Sequence, residues 1–177
     1  MDGARKAERD RQFTDYVTSS RGQLRRTAYL LCGDWHLAED LVQTTLAKLY
    51  VAWPRLHRDS TPDAFARRVL VRSHIDETRR PWNRRRARQE PADDPAREAL
   101  PVEDRDALVR ALADLPSGQR QAVVLRHWLG LTVEETARDL GCSTGTVKSQ
   151  TARAVARLRE ALLDASPKEE DSYERSR

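Results

Sequence analysis

The stretch that decides the fold is Leu131 to Arg157, LTVEETARDLGCSTGTVKSQTARAVAR. Thr132 followed by Glu135 is a capping box, in which a hydroxyl and a carboxylate each take a backbone N–H, so a helix opens there. Gly141 permits the left-handed backbone that ends this helix and turns the chain. After a three-residue turn, Ser143 is placed to cap a second helix. A small residue at Ala137 lets the two helices approach closely, and Val147 pins the second from beneath. The buried side of that second helix continues through Thr151, Ala154, Val155, Leu158 and Leu162 at helical spacing. Ser143, Thr144, Gly145, Thr146, Lys148, Ser149, Gln150 and Arg153 remain for the outside and for the helix start. An ordinary helical hairpin has no need of such a face, whereas a helix entering a DNA major groove does. Free backbone N–H groups at the helix start suit phosphate. Lys148 and Arg153 can reach phosphate or guanine, and Gln150 can read adenine.

Upstream of this motif, Leu108, Leu112 and Leu115 predict a helix ending at Pro116, and a second is expected over about 117 to 128, closed by Gly130. The composition inverts further upstream. Between Glu90 and Asp106 there are seven acids, two arginines and the prolines Pro91, Pro95 and Pro101, with no apolar periodicity. An acidic, flexible linker over 87–102 is expected, its charge keeping it off DNA.

The first half carries three expected helices. Phe13, Tyr16, Val17, Leu24, Ala28 and Leu31 recur at helical spacing over 12–31, with Gly33 as terminator. Asp34 opens a helix to about Trp53 whose apolar stripe is Ala38, Val42, Leu46, Leu49 and Trp53. Asp40 and Gln43 fall on the opposite face and, from spacing alone, read as solvated surface. Thr61-Pro62 opens a third helix to about Arg80. Ala66, Val69, Leu70 and Ser73 form its apolar side, and Arg68, Arg72, Asp76 and Arg79 share another. It runs into 79–88, where six of ten residues are Arg and none is acidic. Such a run is usually only solvated, but one that extends an arginine-faced helix and encloses Trp82 suits a nucleic-acid backbone with an unstacked base.

Composition agrees without deciding anything. The chain has 177 residues, 32 Lys plus Arg against 28 acids, net charge +4 and a pI near 9.4. Lysine occurs only at Lys6, Lys48, Lys148 and Lys168, so arginine supplies most of the positive charge. Cys32 and Cys142 lie far apart and read as single buried thiols, with no disulfide framework. No apolar leader or membrane-length apolar run is seen, so a cytoplasmic protein without membrane insertion is expected. Cys32 and His36 have helical spacing, yet Gly33 and the Asp34 cap intervene, so neither a metal site nor any other cofactor is expected. No Cys-x-x-Cys, phosphate-binding loop, nucleophile elbow or catalytic carboxylate pair can be assembled, which argues against an enzyme.

Two longer motifs carry a family resemblance. L-P-x-x-Q-R-x-x-V-x-L-R from Leu115 to Arg126, followed by G-L-T-x-x-E-T-A-x-x-L-G-C-S-x-G-T-V-K-S from Gly130 to Ser149, resembles region 4 of bacterial sigma-70-family factors. The small extracytoplasmic-function group is most similar. A-E-D-L-V-Q from Ala38 to Gln43 and F-A-R-R-V-L-V-R-S-H-I-D-E-T-R-R from Phe65 to Arg80 resemble region 2 of the same group.

The resemblance implies an all-α chain of two small helical domains. Region 2 would cover 10–86, the linker 87–102, region 4 103–163 and a polar tail 164–177. It also implies a sigma factor that binds core RNA polymerase and directs promoter-specific initiation. Asp40 and Gln43 match positions that dock on the β′ coiled coil. Arg68, Arg72, Asp76, Arg79 and Arg80 match the part that grips the melted −10 element. The recognition helix matches the reader of the −35 element, held near the β flap. An anti-sigma factor is a further partner for which the resemblance leaves room. Arg72 stands where relatives commonly carry Asn, and Arg can only donate where Asn also accepts. Gln150 stands where many relatives have Arg. The competing reading is a stand-alone helix-turn-helix regulator that binds duplex DNA without polymerase.

Overall fold

A computed structural model of the chain describes residues 2–56, 61–79 and 102–165. Every regular element among these residues is helical. Helix α1 spans Asp2–Cys32, α2 Trp35–Ala52 and α3 Pro62–Arg79, with a 3-10 turn at Trp53–Arg55 after α2. Helices α4 (Val102–Ala113), α5 (Ser117–Val123), α6 (Val133–Leu140) and α7 (Thr144–Ala165) follow, and a π turn over Val124–Trp128 continues α5.

Local chemistry accounts for most of the boundaries. Asp34 caps α2 by accepting from the N–H of Leu37 at 3.0 Å, and Thr61 accepts from the N–H of Ala64 at 3.3 Å ahead of Pro62. Gly33, Gly130 and Gly141 all have positive φ, where an L side chain is strained. Helix α1 starts ten residues before its apolar pattern does. Its first turns are exposed, so burial leaves no periodic signal there. Those turns carry pairings from Glu8 to Arg11 at 2.6 Å and to Gln12 at 3.0 Å instead.

The first core is built by α1, α2 and α3 around Leu24, Ala28, Ala38, Leu41, Val42, Leu49, Trp53, Ala66 and Leu70. Leu41 and Thr45 are buried beside the expected stripe, with Leu46 packed partly buried against the same core, because α2 packs on α1 and α3 together and needs a wider face than one stripe. The Thr45 hydroxyl is satisfied by the carbonyl of Leu41 at 2.7 Å. Phe13 meets both Tyr50 and Trp53 edge-on, with ring centroids 5.0 and 5.3 Å apart.

The second core joins the two halves. Leu31 of α1 and Val71 and Ile75 of α3 pack with Leu112, Leu115, Val123, Val124, Leu125, Leu131 and Ala154. Burying three such side chains contributes roughly 1.5–3 kcal/mol each. Arg67 Nε donates to Asp139 Oδ2 at 2.8 Å across the same seam, with only 2% of the Asp139 side chain exposed. Trp128 Nε1 donates to the Thr27 hydroxyl at 3.3 Å. Of the boundaries expected from sequence, residues 80–101 lie outside the described residues, and α4 begins at Val102. Neither cysteine is fully enclosed; both are half-buried. The Cys32 thiol donates to the Asp34 carbonyl at 3.1 Å, and burial pushes its pKa up to about 12, so it is no nucleophile near neutral pH.

His74, also at this seam, is 3% exposed. Burial, and then the nearby Arg120 guanidinium, push its pKa down from 6.5 to about 4. The folded ring therefore refuses a proton that the unfolded chain accepts between those values. Stability should fall by on the order of 3 kcal/mol as pH drops through this window. Denaturant titrations from pH 7 to 4 on the wild type and on His74→Leu check this, and the variant should lack that part of the slope. A second expectation concerns Gly141, whose φ is 65°. Gly141→Ala should lower unfolding free energy by about 1–2 kcal/mol in the same measurement, since the left-handed strain is the main penalty.

Candidate nucleic-acid interface

The helix-turn-helix is formed by α6 and α7. Thr132 Oγ1 accepts from the N–H of Glu135 at 3.1 Å, and Glu135 accepts from the N–H of Thr132 at 2.8 Å. That second bond holds the Glu135 carboxyl below the usual carboxylate range. Gly141 ends α6 at φ 65° and ψ 39°, with its N–H on the Ala137 carbonyl. Ala137 and Val147 are buried, at 7% and 1% exposure, so the two helices close on them as the spacing predicts. The Arg126 guanidinium donates to the Leu131 carbonyl and ties the preceding turn to the start of the motif.

Ser143 starts α7. Its hydroxyl accepts from the N–H of Thr146 at 3.1 Å and lies 2.9 Å from the Thr146 hydroxyl. Thr144, Gly145, Thr146, Lys148 and Ser149 are exposed on the first turns, and Arg153 is exposed one turn further on. The Ser149 hydroxyl is occupied with the Thr146 carbonyl at 3.0 Å. Gln150 is different. It is half-buried, and its carboxamide stands 3.8 Å from where a Cβ on Gly118 would be, so it packs across the start of α5. Its side chain thus lies between the start of α5 and the exposed first turns of α7.

The second face lies on α3. Arg72, Asp76 and Arg79 are exposed and Arg68 is half-buried, while Arg80 and Trp82 lie outside the described residues. Val69 is only partly covered. The inner side of α3 instead uses Ala66, Leu70, Val71, Ser73, His74 and Ile75. The Arg72 guanidinium reaches to 3.5 Å from a Cβ position on Gly141, so it touches the turn of the helix-turn-helix.

The third face is on α2, where Asp40 and Gln43 are both exposed, opposite the buried Ala38, Leu41 and Val42. Asp40 borders a cleft of about 1210 Å³ between the α1–α2 corner, the end of α3 and the start of α5. The start of α2 is fixed by contacts that sequence reading did not find. Glu39 takes ion pairs from Arg21 and, at 3.4 Å, from Arg25. Arg25 lies 4.8 Å over the Trp35 ring, which stacks on Tyr29 at 3.8 Å. Arginine and aromatic spacing across a corner carries no period, which is why these contacts were not legible. Arg67 and Asp139 were missed as well, being 72 positions apart.

No group of three or more His, Cys, Asp and Glu side chains among the described residues could hold a metal ion. Among them, too, no helix is long and apolar enough to cross a membrane.

Comparison with known proteins supplies the family. The model for sigma-70 region 2 matches residues 16–86, and the model for sigma-70 region 4 matches residues 105–158. The RNA polymerase sigma-E factor of Streptomyces coelicolor is 40% identical, with 93% of this chain and 96% of that protein covered. The ECF RNA polymerase sigma factor SigC of Mycobacterium tuberculosis is 39% identical over 81% of this chain and 77% of its own length. Among solved structures, the sigma factor RpoE of Bartonella quintana, in complex with the anti-sigma factor NepR, superposes with a TM-score of 0.70. It is 29% identical, and the match covers 86% of this chain and 97% of that one. CnrH in complex with the cytosolic domain of CnrY gives a TM-score of 0.57 at 26% identity, with 89% of this chain and 90% of that one covered. With both region models matched in order and full-length relatives at this identity, the chain belongs to the sigma-70 family of RNA polymerase sigma factors, in its extracytoplasmic-function group.

Proposed function

We propose that the chain docks on the β′ coiled coil of core RNA polymerase through Asp40 and Gln43. It sets Arg68, Arg72, Asp76, Arg79 and Arg80 against the melted −10 strand, and it enters the −35 major groove with the first turns of α7 near the β flap. Docking and −10 recognition are assigned to 10–86, −35 recognition to 103–163, and the acidic 87–102 joins them, with 164–177 as a polar tail. The carrying observation is the separation of roles in α7. Val147 and Ala154 are buried, while Thr144, Gly145, Thr146, Lys148, Ser149 and Arg153 are left exposed on a helix that Ser143 caps.

The chain contributes binding energy to promoter melting, not bond chemistry. Bases captured as they unstack on the α3 face shift the duplex toward the open strand. Of the −35 residues, Lys148 and Arg153 supply cations, and the polar first turn supplies backbone N–H groups for phosphate. Such a factor works in the cytoplasm, where its polymerase is. The RpoE and CnrH complexes support an anti-sigma factor as a further partner of this chain.

Asp40→Lys should reduce core polymerase affinity at least about tenfold, with affinity for a −35 duplex unchanged because Asp40 is not on α7. Surface plasmon resonance on immobilised core enzyme and on DNA measures both. Unchanged polymerase binding would favour the stand-alone regulator instead. On the DNA side, Arg153→Ala should weaken binding to the cognate −35 site by roughly 1–3 kcal/mol if its guanidinium reads a base. A contact to phosphate alone gives an equal loss on scrambled sites, with the salt slope reduced by about one. Titrations at two salt concentrations on both sites separate these results.

A further inference from the structure

The cleft that Asp40 borders is lined by two side chains that neither the DNA faces nor the docking face uses, Arg120 and His74. Arg120, in the middle of α5, lays its guanidinium against the Gly33 turn, with Nη1 3.8 Å from where a Cβ on Gly33 would stand. Its Nε is buried without a hydrogen-bond partner, and among the described residues no acid closes an ion pair on it. His74 of α3, only 3% exposed, leaves its Nδ1 unpartnered as well. A covered cation or donor without a partner costs free energy that a ligand recovers on binding. Apolar side chains would fill the same space more cheaply.

The chemistry of the lining narrows the ligand. A guanidinium is a planar fork of donors that matches a carboxylate through two parallel bonds. Burial keeps the His74 ring neutral near pH 7, so it offers one further donor or acceptor and no charge. Leu31, Leu37 and Ile75 add apolar wall, which suits a short hydrocarbon body. The rim limits the charge. Asp34 is engaged in capping α2, and Glu39 is paired with Arg21 and Arg25. The carboxylates of Asp40 and Glu77 stand on the same rim and penalise a second negative charge on the ligand. At about 1210 Å³ the cleft has ample room for such a molecule.

We propose that this cleft is a binding site for a small organic monocarboxylate. The carboxylate sits on the Arg120 guanidinium with His74 beside it, and the apolar body lies against Leu31, Leu37 and Ile75. The proposal does not rest on the polymerase or promoter roles given above, because Arg120 and His74 belong to neither.

The test is a titration of the full, isotope-labelled chain with sodium butyrate, following the Arg120 Nε–Hε resonance by NMR. Sodium chloride and inorganic phosphate at matched ionic strength are the comparison arms. Butyrate should shift that resonance saturably, with a Kd of about 1–10 mM. Chloride should leave it unmoved, and phosphate should bind at least about fivefold more weakly. Arg120→Lys keeps the cation without the fork, and should weaken butyrate binding at least about fivefold, read on the backbone amide of Gly33. An absent or unsaturable butyrate shift in the wild type overturns the site, as does an equal shift with chloride. Phosphate binding as tight as that of butyrate overturns the monocarboxylate class. Undiminished butyrate affinity in folded Arg120→Lys overturns Arg120 as the anchor. Should circular dichroism show that variant to have lost helical content, the wild-type Nε–Hε shift alone decides the role of Arg120.

Discussion

Helix α3 must pack on two sides at once, and much else in the structure depends on that. Ala66 and Leu70 close the three-helix core of the first half. Val71 and Ile75 close the core shared with the second half. An 18-residue helix with two apolar sides has a narrow stripe left for solvent, and Arg72, Asp76 and Arg79 fill it. The proposed nucleic-acid face is therefore stiff, because each residue on it has neighbours in sequence locked into one core or the other. Precise placement of charge on a packed helix is what holding a single strand requires.

The same crowding sets the character of the seam. Apolar burial of Leu31, Val71 and Ile75 supplies most of its energy, roughly 5–9 kcal/mol before ordering costs. The Arg67–Asp139 pair adds little net stability, because desolvation offsets the attraction, but it penalises wrong registers strongly. Buried His74 and mostly covered Arg120 add a polar strip to it. Such an interface is specific in its register.

The helix-turn-helix was legible because its determinants are local. Thr132, Glu135, Gly141 and Ser143 act within three or four residues of themselves, and the bonds they form follow from their chemistry wherever the rest of the chain goes. The caps at Asp34 and Thr61 were readable for the same reason. Long-range pairings were not. Nothing near Arg67 marks it as the partner of Asp139, and nothing near Tyr29 announces that Trp35 will stack on it. Helix α2 was read as one stripe because periodicity reports that a side is buried, not how many neighbours bury it. The proximity of Gln150 to Gly118 was likewise not legible, the two being far apart in sequence. The start of α1 carried no apolar period, being exposed, and only its short-range pairings from Glu8 betray a helix.

The central claim is that this chain gives a core polymerase its choice of promoter. The most direct measurement reconstitutes purified chain with core RNA polymerase on fragmented genomic DNA of its own host and maps the transcript starts. The account predicts a discrete set of starts, absent with core enzyme alone, that share two elements spaced for the two halves of the chain. Starts no different from those of core enzyme alone would contradict it.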